Sequence, residues 1–192
     1  MSNQKQISQL SFNELYQDIS PETTLLASKV KLLICDIDGV FSDGRIYLGN
    51  QGEELKAFNT KDGFGIKALI NSGIEVAVIT GRQSNIVNTR MQSLTVKYIY
   101  QGQENKLISY QKLKDDLSLN DNEIAYIGDD APDYPVMLKV GFAVAVNDAH
   151  PIIARIADYK TMLPGGFGAV RELTDLLMLS QNKPLLCEGT SA

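Results

Sequence analysis

The stretch Lys31-Leu32-Leu33-Ile34-Cys35-Asp36-Ile37-Asp38-Gly39-Val40 decides the fold. After its first residue the run from Lys31 to Cys35 is apolar throughout rather than alternating, which reads as a strand buried on both faces. Two carboxylates, Asp36 and Asp38, follow where that strand opens to solvent. Gly39 then lets the chain turn so that backbone N–H groups face an anion.

Similar short runs recur at Glu75 to Ile79, Val96 to Tyr100, Glu123 to Ile127 and Phe142 to Val146, with a weaker sixth near Asp158 to Thr161. Between them, Gly63 to Asn71, Ser84 to Gln92, Glu104 to Asp116 and Asp133 to Lys139 have helix-forming composition. A repeat of about 20 to 30 residues per strand-plus-helix unit is that of βαβ crossovers. The expected fold is α/β: a Rossmann-like, doubly wound parallel sheet. Ser42 to Phe58 breaks the rhythm and reads as a protruding β-hairpin with Gly49-Asn50-Gln51-Gly52 as its loop. Phe167 to Leu179 reads as the last helix. Between Gly39 and Glu75 there is room for the hairpin and one helix, so no cap domain is expected.

The chain's 192 residues fit one domain, since a domain takes roughly 150. We divide it into a leader at 1–28 packing loosely, the domain at 29–180 and a mobile tail at 181–192. With 44% hydrophobic and 21% charged residues, the composition is that of a chain with a sizeable core, which excludes disordered and fibrous classes. A net charge of -5 argues against gripping nucleic acid or an anionic membrane. No run approaches the length of a membrane span and the first 18 residues lack an apolar signal core. Cys35 and Cys187 fit neither a disulfide framework nor a zinc site, so reduced thiols and a cytoplasmic location are expected.

In open α/β sheets ligands bind beyond the carboxyl ends of the strands. There stand Asp36 and Asp38 after the first strand, Thr80-Gly81-Arg82 after the second, and Gly128-Asp129-Asp130 with Asp133 after the fourth, while Lys106 opens the helix after the third. So many carboxylates in one crevice repel each other unless a hard cation joins them, and this donor set suits Mg²⁺. A carboxylate that attacks phosphorus forms an aspartyl-phosphate, which water then opens. A metal, a lysine and N–H donors are the stabilisers that phosphoryl transfer needs.

The order Asp-x-Asp-Gly, Thr-Gly-Arg, Lys, Gly-Asp-Asp resembles the haloacid dehalogenase superfamily of phosphohydrolases. Leu33 to Gly44, Asn59 to Gly65 and Gly165 to Glu172 are similar in particular to its capless sugar-acid phosphatases, over about residues 29 to 180. The resemblance implies hydrolysis of 3-deoxy-D-manno-octulosonate 8-phosphate, an eight-carbon keto acid. It implies Asp36 as nucleophile and metal ligand, and Asp38 as general acid, then base, with its backbone carbonyl on the metal. Asp129 would be the further metal ligand, and Thr80 and Lys106 would hold the phosphoryl oxygens. For the sugar acid it implies Asp38, Asn59, Thr60, Lys61, Asp62, Gly63, Lys67, Arg82, Arg90 and Lys106. Arg171, on the glycine-rich segment of a neighbouring subunit, would complete the site in a homotetramer. One departure is Lys67, where the family more often carries arginine: the charge is kept and the bidentate fork is lost.

Each feature also has a plainer reading. A lone Asp-x-Asp merely ends a strand, and Asp130 before Pro132 makes a good helix cap. His150 before Pro151 reads as a turn residue, and Gly165 to Gly168 lacks the lysine and spacing of a P-loop. The alternatives to the leading reading are a phosphatase of a nine-carbon keto-sugar-acid phosphate and a non-catalytic, phospho-accepting receiver-like switch. The receiver carries its acidic pair and acceptor in another order.

Overall fold

The computed structural model describes residues 11–185. Strands β1 (Leu32–Cys35), β4 (Glu75–Ile79), β5 (Tyr98–Tyr100), β6 (Ile124–Gly128), β7 (Phe142–Ala145) and β8 (Tyr159–Lys160) form one sheet in the order β5-β4-β1-β6-β7-β8. All its pairings are parallel. The β1 run is apolar throughout because alternate residues serve two cores: Leu33 and Cys35 face one, Leu32 and Ile34 the other, and all four are fully buried.

The first core is closed by helices α3 (Thr60–Asn71), α4 (Asn85–Ser93) and α8 (Ala169–Ser180) through Ile66, Leu69, Val87, Met91, Val170, Leu173 and Leu177. The second is closed by α5 (Lys106–Asp116), α6 (Tyr134–Met137) and α7 (Pro151–Ile156) through Tyr110, Leu113, Val136, Met137 and Ile153. Helix α7 starts at His150, whose Nδ1 accepts the Ile152 N–H, so this histidine is a cap. Strands β2 (Tyr47–Leu48) and β3 (Glu54–Leu55) form the expected antiparallel hairpin, and only it and α3 lie between β1 and β4, so no cap domain is inserted.

The ends differ from expectation. Helices α1 (Phe12–Leu15) and α2 (Pro21–Ser28) are docked rather than loose: Phe12 and Ala27 are buried in the first core. The Tyr16 hydroxyl donates to Asp175 at 2.7 Å. Burying a phenylalanine side chain contributes about 1.5–3 kcal/mol, enough to hold so short a segment down. At the other end Gln181 donates to the Ala27 and Val30 carbonyls and Lys183 to that of Ser72, so residues 181–183 are anchored where a mobile tail was expected. The remainder of the expected leader and tail, 1–10 and 186–192, lies outside the described residues. Among the described residues no helix is long and apolar enough to cross a membrane.

Strand order places β1 between β4 and β6. The chain winds outward from β1 through β4 to β5 and then returns to β6 on the other side. The crevice between the carboxyl ends of β1 and β6 is therefore a topological switch point, where open α/β sheets bind ligands.

Candidate active site

Asp36 follows the last residue of β1, and its N–H donates to the Ile127 carbonyl of β6, fixing it at the switch point. Its carboxylate is buried. Oδ2 lies 2.9 Å from Lys106 Nζ, whereas Oδ1 is buried and accepts no hydrogen bond. Burial and the charge of Asp133 raise the Asp36 pKa above the ordinary carboxylate value against the pull of Lys106. One oxygen is thus held and the other is available to a cation or to phosphorus.

Lys106 is the first residue of α5, entered through Asn105, whose side chain accepts the Leu107 N–H. Its buried ammonium donates to Asp133 Oδ1 at 2.6 Å and to the Tyr126 hydroxyl at 3.3 Å. Burial pulls its pKa down, but the charges of Asp36 and Asp133 outweigh that and hold it above the usual lysine value. It is a fixed cation facing Asp36.

Asp133, named in sequence only as a neighbour of the motif, organises this corner. Its Oδ1 also accepts the Tyr126 hydroxyl at 2.6 Å, while Oδ2 accepts the N–H groups of Asp129 at 2.9 Å and Asp130 at 3.2 Å. Asp130 itself is exposed and accepts the Ala131 N–H, as its plainer capping reading has it.

Asp36, Asp129 and Asp133 present carboxylate oxygens all within 4.8 Å of one another. Burial, then the charges of Asp133 and Asp36, push Asp129 up to about 8. Three carboxylates held this close are the surroundings a divalent cation requires, and the orphaned Asp36 Oδ1 is a donor without a partner. Because both Asp133 oxygens are already bonded within the protein, Asp36 and Asp129 are the better donors. Gly39 makes the approach of Asp129 possible: with φ +89° and no side chain, it leaves space in which a Cβ would stand 2.1 Å from Asp129 Oδ2.

The Asp38 carboxylate is not in that cluster. It turns the other way, its Oδ1 onto Lys56 and its Oδ2 3.9 Å from Arg82. Lys56 and Glu54 come from the hairpin; Lys56 was not expected at the site, and Glu54, which its sequence neighbour Glu53 makes look like half of a solvated pair, is instead drawn in beside Lys56 and Arg82. The signal was an alternation: Glu54 and Lys56 are polar, flank Leu55, and turn inward. Thr80, at the end of β4, is buried, with its N–H on the Tyr100 carbonyl and its own carbonyl accepting from Gln103.

The residues expected at the sugar acid divide. Arg82 stands beside Asp38, half exposed. Asn59 caps α3 by accepting the Lys61 N–H; Thr60 and Lys61 are exposed on its first turn, and Lys67 is half-buried further along. Arg90 lies across the start of α3, so that a Cβ on Gly63 would come within 2.3 Å of its guanidinium. Asp62 is fully buried and accepts the Arg171 N–H at 2.8 Å, which ties α3 to the start of α8 instead of facing solvent.

The Arg171 guanidinium is likewise occupied within its own chain, 2.8 Å from Asp175 and 4.7 Å from the Phe64 ring. The glycine-rich segment preceding α8 braces the loop after β1 of its own chain: the Gly166 N–H donates to the Val40 carbonyl, and a Cβ on Gly165 would strike the Gly39 carbonyl at 1.7 Å. Both Arg171 and this segment were expected to act across a subunit boundary. Within the chain Arg171 pairs with Asp175, and Gly165 and Gly166 pack flush on the Gly39 turn, while Phe167 beside them is 59% exposed.

A parallel sheet with an acidic pair after its first strand, a buried lysine facing it, and a further acidic cluster across the switch point defines a haloacid dehalogenase-type phosphohydrolase. The family model of the haloacid dehalogenase-like hydrolases matches residues 85–163. The chain is 52% identical over 176 residues, 92% of its length and 94% of the relative's, to the 3-deoxy-D-manno-octulosonate 8-phosphate phosphatase of Salmonella typhimurium strain LT2. The crystal structure of the Yersinia pestis phosphatase of that name matches with a TM-score of 0.91 and 48% identity, covering 95% of this chain and 99% of that one. That of the Moraxella catarrhalis phosphatase, in complex with magnesium ion, phosphate ion and KDO molecule, matches with a TM-score of 0.84 and 40% identity, over 85% and 94% of the two chains. The chain belongs to the 3-deoxy-D-manno-octulosonate 8-phosphate phosphatase family, which are phosphomonoester hydrolases.

Proposed function

We propose that the protein hydrolyses 3-deoxy-D-manno-octulosonate 8-phosphate to the free sugar acid and phosphate, supplying lipopolysaccharide precursors in the cytoplasm, with Asp36 as nucleophile. The observation that carries this is the state of Asp36: one oxygen held by Lys106, the other buried and unpartnered at the switch point. Asp36 attacks phosphorus while Asp38 gives its proton to the departing sugar oxygen. Asp38 then takes a proton from water, whose oxygen attacks the aspartyl-phosphate and restores Asp36. Lys106 and Thr80 hold phosphoryl oxygens.

Mg²⁺ would be held by Asp36, Asp129 and the Asp38 carbonyl, and when bound it supplies counter-charge to the phosphoryl oxygens. Arg82, Arg90, Lys61 and Lys67 are the cations assigned to the carboxylate end of the substrate. The exposed apolar hairpin supports assembly into a homotetramer.

The experiment is phosphate release from a panel containing the eight-carbon and nine-carbon keto-acid phosphates and simple phosphate esters, with and without Mg²⁺. Selective, Mg²⁺-dependent turnover of the eight-carbon compound is expected. Equal rates across the panel, or undiminished rates in excess chelator, would overturn the reading.

A further inference from the structure

The hairpin brings to the site a side chain that none of the sequence motifs marks. Glu54 and Lys56 are two residues apart on an extended segment, so both leave the same face, and Leu55 between them points outward and is 65% exposed. The Lys56 side chain is wholly buried, its ammonium on Asp38 Oδ1 and 3.8 Å from Glu54 Oε1. Arg82 closes the ring, 3.9 Å from Asp38 Oδ2 and 3.6 Å from Glu54 Oε2. Two carboxylates and two cations alternate at the mouth of the crevice.

A lysine on a two-stranded surface ribbon ordinarily keeps its ammonium in water, because taking it out costs several kcal/mol unless a counter-charge is fixed in place. Here the counter-charge is the acid–base carboxylate itself. Apart from Lys56, among the described residues Oδ1 has only the Ser42 hydroxyl at 3.5 Å, the outer limit of a hydrogen bond. Oδ2 is buried and accepts no hydrogen bond. One oxygen of Asp38 is therefore clamped from the hairpin, and the other, 3.9 Å from Arg82 and without a hydrogen bond among the described residues, is left for a proton.

We propose that Lys56 is a positioning residue for Asp38: it fixes the carboxylate through Oδ1 so that Oδ2 delivers a proton to the leaving sugar oxygen and later takes one from water. Lys56 keeps its own proton throughout. This rests on the assignment of Asp38 as acid and base, and it gives the hairpin a part in catalysis within its own chain.

The test compares leaving groups. An alkyl phosphate such as 3-deoxy-D-manno-octulosonate 8-phosphate needs a proton on its departing oxygen, whereas 4-nitrophenyl phosphate does not. kcat/KM reports steps up to leaving-group departure, so breakdown of the intermediate does not enter. With full-length protein and Mg²⁺, Lys56→Met is expected to lower kcat/KM for the sugar phosphate on the order of 100-fold and for the aryl phosphate less than about fivefold. Lys56→Arg should recover most of the loss. Equal losses on both substrates, a change in KM alone, or no loss would overturn the proposal. If Lys56→Met does not fold, Lys56→Gln carries the same comparison. Asp38→Asn, measured alongside, separates the two levels. If it also loses equally on both substrates, the acid–base assignment fails; if it discriminates and the Lys56 variants do not, only the role of Lys56 fails.

Discussion

Lys106 Nζ and Asp133 Oδ1 lie 2.6 Å apart, and both side chains are almost wholly withdrawn from water. The pair forms a lattice with Asp36, the Tyr126 hydroxyl and two backbone N–H groups. Asp133→Ala removes the acceptor of the Lys106, Tyr126 and backbone donors and leaves Lys106 with Asp36 and the Tyr126 hydroxyl. Breaking a buried ion pair from one side ordinarily costs about 3–5 kcal/mol. Urea unfolding of the metal-free variant should show a loss of that size; less than about 1 kcal/mol would mean that the lattice does not support the site.

Asp36→Asn keeps the shape of the side chain and replaces one oxygen of the carboxylate proposed as nucleophile. Phosphate release should fall on the order of 10⁴-fold or more, the scale on which loss of a nucleophile registers, while the variant unfolds cooperatively. Near-normal release from the folded variant would transfer the nucleophile's role to another residue.

The sheet, hairpin and strand-end motifs were legible because each is local: an apolar run, a glycine pair, or a carboxylate just past a strand. Lys106 was legible only through the company of Asp36 and Asp129, since a lysine opening a helix is by itself unremarked. Lys56 was not legible. Its importance depends on the hairpin folding back over the loop that holds Asp38, and that contact spans 18 residues. Asp62 and Arg171 were expected at the substrate through the resemblance alone; the bond from the Arg171 N–H to the Asp62 carboxylate was not legible, because it spans 109 residues. Phe12 to Tyr16 was legible only as a weakly amphipathic segment of a loosely packed leader: four residues of helix carry little periodicity, and the core they complete is assembled from distant strands.

Asp129 is pushed up to about 8 by burial and by its acidic neighbours, so the metal-free cluster is under mutual repulsion. A cation bound only by the folded state stabilises it by mass action, about 2.7 kcal/mol at a concentration 100 times Kd. Mg²⁺ should therefore raise the unfolding temperature of the wild type, and Asp129→Asn should abolish most of that rise. Equal rises in both proteins would place the cation elsewhere.

Tyr47 and Leu55 are directly paired across the hairpin, share a face, and are 53% and 65% exposed. A two-stranded ribbon with an uncovered apolar face is marginal alone and marks a contact surface. We expect light scattering to give a tetramer for the wild type and a smaller species for Tyr47→Ser combined with Leu55→Glu. A stable wild-type monomer would remove the assembly from the mechanism.

Asp62 gives the protein a pH dependence whose sign is fixed by its surroundings. Burial pushes its pKa up to about 6, against the pull of the Arg171 and Gly168 N–H groups and of the Arg171 and Arg90 charges. Its folded value thus lies above the ordinary 3.8, so between the two values the native state binds more protons than the unfolded one. The stabilisation is complete below about 4 and is lost as pH rises through 6. Two units correspond to on the order of 3 kcal/mol. Asp62→Asn preserves an oxygen to accept the Arg171 N–H but has no charge to bury. Urea unfolding at intervals from pH 4 to pH 7.5 should show the variant gaining on the wild type by about 2–3 kcal/mol, most of it below pH 6.5. A constant difference across that range would mean that Asp62 is not buried as a titrating group between α3 and α8.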